Sequence, residues 1–232
     1  MNEDYNVSPV NPLPPVVWLL ILPIIAVEIV VALASAGLVG GGAMSGGGMA
    51  LRQQLLVNFA YAPEMGRTMW TVGQWPLDYV KRLVTYPFIH ANFTHAMMVG
   101  VFILALGKMV GEVFSGFAVA AIFFVSAIVG AVVYTAMPVP NIPLIGGYPA
   151  VYGLVGAFTW LLWTRLGLVN ANRARAFSLI GFLLGIQLVF GVMFGGGWDW
   201  IAEVSGFATG FGLSFFVAPG GFKRAVERLR QR

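Results

Sequence analysis

Cysteine is missing from the chain altogether, which excludes disulfide bonds, thiolate catalysis and cysteine-ligated metals. Charge is the next scarcity. Asp, Glu, Lys and Arg make up 9% of the residues, against about 25% in an ordinary soluble domain. A body of 232 residues with so little charge cannot coat itself for water. Histidine occurs only twice, as His90 and His95, five residues apart. Ligands on one helix face sit three or four apart, and no third His or Cys supports the pair, so no metal and no cofactor is expected. No phosphate-binding loop, dinucleotide fingerprint, HExxH helix or Gly-x-Ser-x-Gly elbow occurs either.

Apolar residues, by contrast, make up 59% of the chain and include long uninterrupted runs. Crossing a bilayer by helix takes about 20 mostly apolar residues, and every backbone group must then pair within the segment. Six runs meet or nearly meet that length: 16–36, 93–113, 117–136, 149–166, 174–194 and 200–218. The fold class expected is therefore an all-α polytopic membrane protein with six transmembrane helices. The 30 glycines suit it, because small residues let helices approach closely in lipid.

The first run follows MNEDYNVSPVNPLPP, which has acidic residues and no Lys or Arg. A signal peptide begins basic, so this run is expected to be a retained anchor. The sequence divides into a cytoplasmic segment 1–15, a transmembrane domain 16–218 and a basic tail 219–232. Within the domain, a long loop 37–91 is expected outside the cytoplasm. Its first part is glycine-rich; the later stretch WPLDYVKRLVTYPF mixes apolar and polar residues and reads as short helices lying at the interface. The connection MPVPNIPLIGGY is too rich in proline to be helical.

Positive residues gather near the ends of apolar runs and in the tail FKRAVERLRQR. That is a topology signal and not a nucleic-acid surface, so no nucleic acid partner is expected. Lys108, Arg165, Arg173, Arg175 and the tail fall on one side of a six-span arrangement. The positive-inside rule puts that side, with both termini, in the cytoplasm. A bacterial inner membrane is the expected location.

Ionisable groups inside apolar runs need a reason. Glu28 lies mid-way along the first run, Glu112 near the end of the second and Glu203 near the start of the sixth. His90, His95 and Glu203 are expected at one depth, on the side of the long loop. Gly153 and Gly156 in the fourth run, and Gly206 and Gly210 in the sixth, give small faces for close packing.

These features together resemble the rhomboid family of intramembrane serine proteases, over roughly residues 77–217. In VKRLVTYPFIHANFTHAMMV, Arg82, Thr85, His90 and His95 look like the family's Arg, Thr and two His, although Lys81 stands where an aromatic usually precedes the Arg. Gly107 and Glu112 look like the Gly and Glu that close the same helix. In GGYPAVYG, Gly146, Ala150 and Gly153 keep the family's places, but Tyr148 stands at the nucleophilic serine and Pro149 at the glycine after it. Glu203 occupies the place of the family's base histidine, ahead of Gly206 and Gly210. Val99 stands at an asparagine that helps hold the oxyanion.

Those exchanges bear directly on chemistry. Serine attack needs a hydroxyl within hydrogen-bond reach of a base. A phenol is bulkier, and its oxygen lies farther from the backbone. Pro149 has no N–H to donate, and neither does the Val99 side chain. Losing one oxyanion donor costs a working protease about 2.7–4 kcal/mol. The resemblance thus implies a rhomboid-like bundle in which Tyr148, Glu203, Val99 and His95 form a degenerate site with no catalytic residue. A cluster in which His95 bonds both Tyr148 and Glu203 is one expected arrangement. Its partners are expected to be the lipid bilayer and transmembrane helices of other membrane proteins or of a membrane complex. The alternatives are an active intramembrane serine endopeptidase with a rearranged site and an accessory subunit of a larger complex.

Overall fold

The computed structural model describes residues 12–39, 47–194 and 197–219. Most of segment 1–15 and all but Pro219 of the tail 219–232 therefore lie outside the described residues. Regular structure among the described residues is helical, apart from one isolated bridge between Tyr61 and Leu144.

Five helices are long and apolar enough to cross a membrane: α1 (Pro15–Ser35), α6 (Phe93–Gly111), α7 (Gly116–Ala136), α8 (Tyr148–Leu168) and α10 (Trp200–Val217). The sixth expected span is α9 (Ser178–Phe194), with 17 residues. It rises only about 25 Å, and a five-residue 3₁₀ turn, Arg173–Phe177, leads into it. The apolar run starting at 174 thus enters as a 3₁₀ turn and becomes α-helical four residues later. The Asn172 side chain fixes that turn by accepting from the Ala174 N–H at 3.0 Å.

Local chemistry sets several of these boundaries. Asn92 caps α6 by accepting from the His95 N–H at 2.9 Å, and Ser115 caps α7 by accepting from Ala118 at 3.2 Å. Pro15 and Pro149 occupy first-turn positions, where a missing N–H costs nothing.

The centre of the bundle is α8, buried without a break from Pro149 to Ala157. It rests on α10 backbone to backbone. A Cβ on Gly210 would overlap the Gly153 carbonyl, and one on Gly206 would overlap the Pro149 carbonyl. On its other side, a Cβ on Gly153 would strike Ser126 of α7. The small faces read from the sequence are therefore where three helices meet. On the opposite flank α1 runs against α6, with Val17 3.1 Å from where a Gly107 Cβ would be.

The long connection folds into α2 (Gly47–Phe59), α3 (Pro63–Val72), α4 (Leu77–Val80), α5 (Arg82–Thr85) and a 3₁₀ turn Tyr86–Phe88. The short helices expected in WPLDYVKRLVTYPF are α4, α5 and the 3₁₀ turn, and α2 and α3 precede them. Side chains tie them to the bundle by capping bare helix ends. Arg67 donates to the carbonyls of Thr135, Met137 and Val139, closing the end of α7. Arg82 donates to Val57 and Ala60, and Thr85 to Phe59, closing the end of α2. The 137–147 segment is non-helical, as its prolines require, and pairs with Tyr61 through Leu144.

Candidate functional site

The site is built where three chain segments converge: the approach to α6, the turn before α8 and the start of α10. Gly146 has φ 82°, a conformation L side chains rarely adopt. Its N–H donates to the Tyr86 carbonyl at 3.0 Å. A Cβ there would press on the His95 ring, with the His90 ring 3.2 Å away. Glycine is thus required twice, for the turn and for the two imidazoles. At Gly147 a Cβ would come within 2.8 Å of Val99. The residue at the asparagine-like place therefore packs as a fully buried hydrophobe under the turn.

His95 and Tyr148 stack, with centroids 5.0 Å apart and planes at 18°. His90 meets His95 edge-on at 5.0 Å. His90 is fully buried, and neither of its ring nitrogens has a hydrogen-bond partner. Burial pushes its pKa from 6.5 down to about 3; His95 adds to the shift, and the nearby Phe88 backbone offsets part of it. Nε2 of His95 is also buried without a partner.

Glu203 is buried at the first turn of α10, and its Oε2 accepts from Gln187 Nε2 of α9 at 2.6 Å. Tyr152 stands beside the same carboxylate. The arrangement thus differs from a His95-centred hydrogen-bonded cluster: His95 stacks on the phenol, and the carboxylate turns to an amide on α9. A flat ring against a flat ring satisfies dispersion but leaves the imidazole nitrogen unused.

A cavity of about 370 Å³ opens here, lined by His95, Tyr134, Tyr148, Trp198, Asp199 and Glu203 together with the 142–145 strand-like segment. Among the described residues no serine or threonine lines it. Ser126 is buried under Gly153, Ser205 donates to the Ile201 carbonyl at 2.6 Å, and Ser214 donates to Gly210 at 2.7 Å. Among the described residues no three of His, Asp and Glu come together as metal ligands do.

The expected site residues therefore separate into groups. His90, His95, Val99, Gly146, Tyr148 and Glu203 come together. Arg82 and Thr85 stand apart, holding α2. Gly107 and the exposed Glu112 lie at the far end of α6, and Gly153, Gly206 and Gly210 form the α8–α10 contact. Sequence reasoning missed Asp199, Trp198 and Gln187. The first two sit in WDWIA next to Glu203, where a polar break before an apolar run was visible. Gln187 is the only amide inside the fifth run.

A family model described as the Rhomboid domain matches residues 77–220, well over half of the chain. No curated protein matches it.

Proposed function

The chain belongs to the rhomboid family, and from that membership we propose that it is a pseudoprotease that binds transmembrane segments of other membrane proteins, or holds them within a membrane complex, without cutting them. The lining of the cavity supports this reading: among the described residues it offers two phenols, an imidazole and two carboxylates, and no aliphatic hydroxyl. Acyl transfer needs a nucleophile whose proton a neighbouring base can take, and donors aimed at the oxyanion. Here the ring at the serine-like place lies flat on His95, Glu203 is engaged by Gln187, and Val99 and Pro149 supply no donor.

The bundle itself offers a way to receive a helix. α9 is the least packed of the long helices, and Ile180 is the one buried side chain among its described residues. Nothing lies within 4 Å of a Cβ on Gly181 or Gly185. A client helix that displaced α9 would break the Gln187–Glu203 bond and replace the packing of Leu179, Ile180, Leu183 and Leu184 on the core. The proposal includes cytoplasmic termini, on the distribution of Lys and Arg, and a bacterial inner membrane, on size and topology.

Reconstitution in liposomes with a fluorescent single-span reporter, beside an active rhomboid as control, tests the reading. The expected result is no cleavage and a cross-link between reporter and protein. Cleavage above that of a Tyr148→Ala/Glu203→Ala double variant overturns it.

A further inference from the structure

On the flank away from the cavity, α1 and α6 splay apart. They touch near the far end of α6, where Gly107 meets Val17 and Gly111 meets Pro14. Toward the start of α6 they leave a groove of about 700 Å³. Its walls are aliphatic and thioether side chains, including Ile24, Ile29, Met97 and Leu104, with Gly100 as part of its floor. At its mouth lie the only charged residues of the lining, Glu28 and Arg52.

Arg52 reaches from α2 and grips both carboxylate oxygens of Glu28, at 2.9 and 2.7 Å. Its Nη1 also donates to the His90 carbonyl at 2.9 Å. A guanidinium has five N–H donors, so three are engaged and two remain. The His90 carbonyl fixes the height of this group: it lies two residues before the Asn92 cap of α6, at the level where that helix begins.

We infer that this groove is a phospholipid site, taking one acyl chain between α1 and α6 and the lipid phosphate on the remaining donors of Arg52. Depth selects the occupant. From Phe93 to Leu104 the groove runs about 17 Å along α6, close to one leaflet of a hydrocarbon core about 30 Å thick. A transmembrane helix needs the whole thickness, and a body about 10 Å across, but the Gly107 and Gly111 contacts close the lower half. Charge selects the headgroup. An arginine whose fork still has two free N–H groups at the interface matches phosphate oxygens, whereas a chain without phosphate leaves them to water.

Glu28, Arg52 and α1 all precede residue 77, where the family match begins. The groove therefore joins a wall ahead of the family match to a wall on α6 inside it. It also touches the degenerate site, because the backbone that Arg52 holds carries the His90 ring packed on His95.

The test is native mass spectrometry of the full chain, delipidated in mild detergent and titrated with dipalmitoylphosphatidylglycerol or with dipalmitoylglycerol, which lacks the phosphate. The wild type is expected to retain one phospholipid and to retain the diacylglycerol at least fivefold less. Gly100→Leu fills the groove without touching the ion pair; a Cβ there meets only Ile21, at an ordinary 3.6 Å. It is expected to lower phospholipid retention at least fivefold with an unchanged melting temperature. Arg52→Gln is expected to abolish the preference for phosphate. Equal retention of the two lipids by the wild type, or full retention by a folded Gly100→Leu, overturns the inference. So does a single-span peptide that cross-links to Met97 in place of lipid.

Discussion

Single side chains around the His95–Tyr148 stack act by packing, and their substitution should show it. The Tyr148 ring stacks on His95, and its hydroxyl makes no hydrogen bond among the described residues. Tyr148→Phe keeps the stack, so thermal unfolding in detergent should match the wild type within about 0.5 kcal/mol. Tyr148→Ala removes the stack, itself about 0.5–1.5 kcal/mol, and opens space beside it. A large loss in Tyr148→Phe would mean that the phenol oxygen holds the site. His90 gives the second test. It is buried and neutral, its pKa held near 3 by burial first and by His95 second. In an unfolded chain the imidazole titrates near 6.5. Between those values the unfolded state binds more protons, so stability is complete above pH 6.5 and falls as pH drops toward 3. The slope from this group cannot exceed about 1.4 kcal/mol per pH unit. Melting temperatures from pH 7 to 4.5 should decline in the wild type and decline less in His90→Phe. Equal slopes would show that His90 is not the group that titrates.

Elements are held by two different devices, and glycine substitutions separate them. Between α8 and α10 the neighbour of each glycine is backbone, which cannot turn aside. Gly210→Ala should cost about 1–3 kcal/mol as overpacking. In α9 nothing faces Gly185, so Gly185→Ala should gain up to about 1 kcal/mol from helix propensity alone. Opposite shifts in melting temperature are expected, and a loss at Gly185 would show α9 packed more tightly than described. The contrast also explains what the sequence disclosed. Apolar runs near 20 residues set the spans, and the spacing of Gly206 and Gly210 set the α10 face, because both are local patterns. Hydropathy could not place the start of α9, since Ala174, Ala176 and Phe177 stay apolar through a 3₁₀ turn. Nor could it pair Glu28 with Arg52, 24 residues away across a glycine run. Tyr148 and Val99 were legible through resemblance alone, and Glu203 also as an ionisable group in an apolar run; that Glu203 would turn to Gln187 depends on how α9 approaches α10, which no local pattern encodes.

At the scale of the whole molecule, the distribution of positive charge decides the orientation. At the end where α1 meets α2, the guanidiniums are bound to the protein itself: Arg52 to Glu28 and His90, Arg67 to the end of α7, Arg82 to the end of α2. At the other end Lys108 lies in the last turn of α6, and Arg165, Arg173 and Arg175 flank the α8–α9 turn. No acid pairs with these four among the described residues, although Arg173 lies over the Trp163 ring at 4.7 Å. Cations beside short turns and within a few residues of span ends are the ones that direct insertion, and they also face the anionic inner surface. The α6–α7 and α8–α9 turns should therefore be cytoplasmic. The chain has no cysteine, so single introduced thiols report topology without background. Thr71→Cys on α3 should react with an impermeant maleimide in intact spheroplasts, and Val169→Cys after α8 should react only once the membrane is opened. The reverse pattern would turn the molecule over, placing the cavity at His95 and the Glu28–Arg52 pair on the cytoplasmic face. Reaction of both thiols in intact cells would mean that one of the three helices between them, α6, α7 or α8, does not cross.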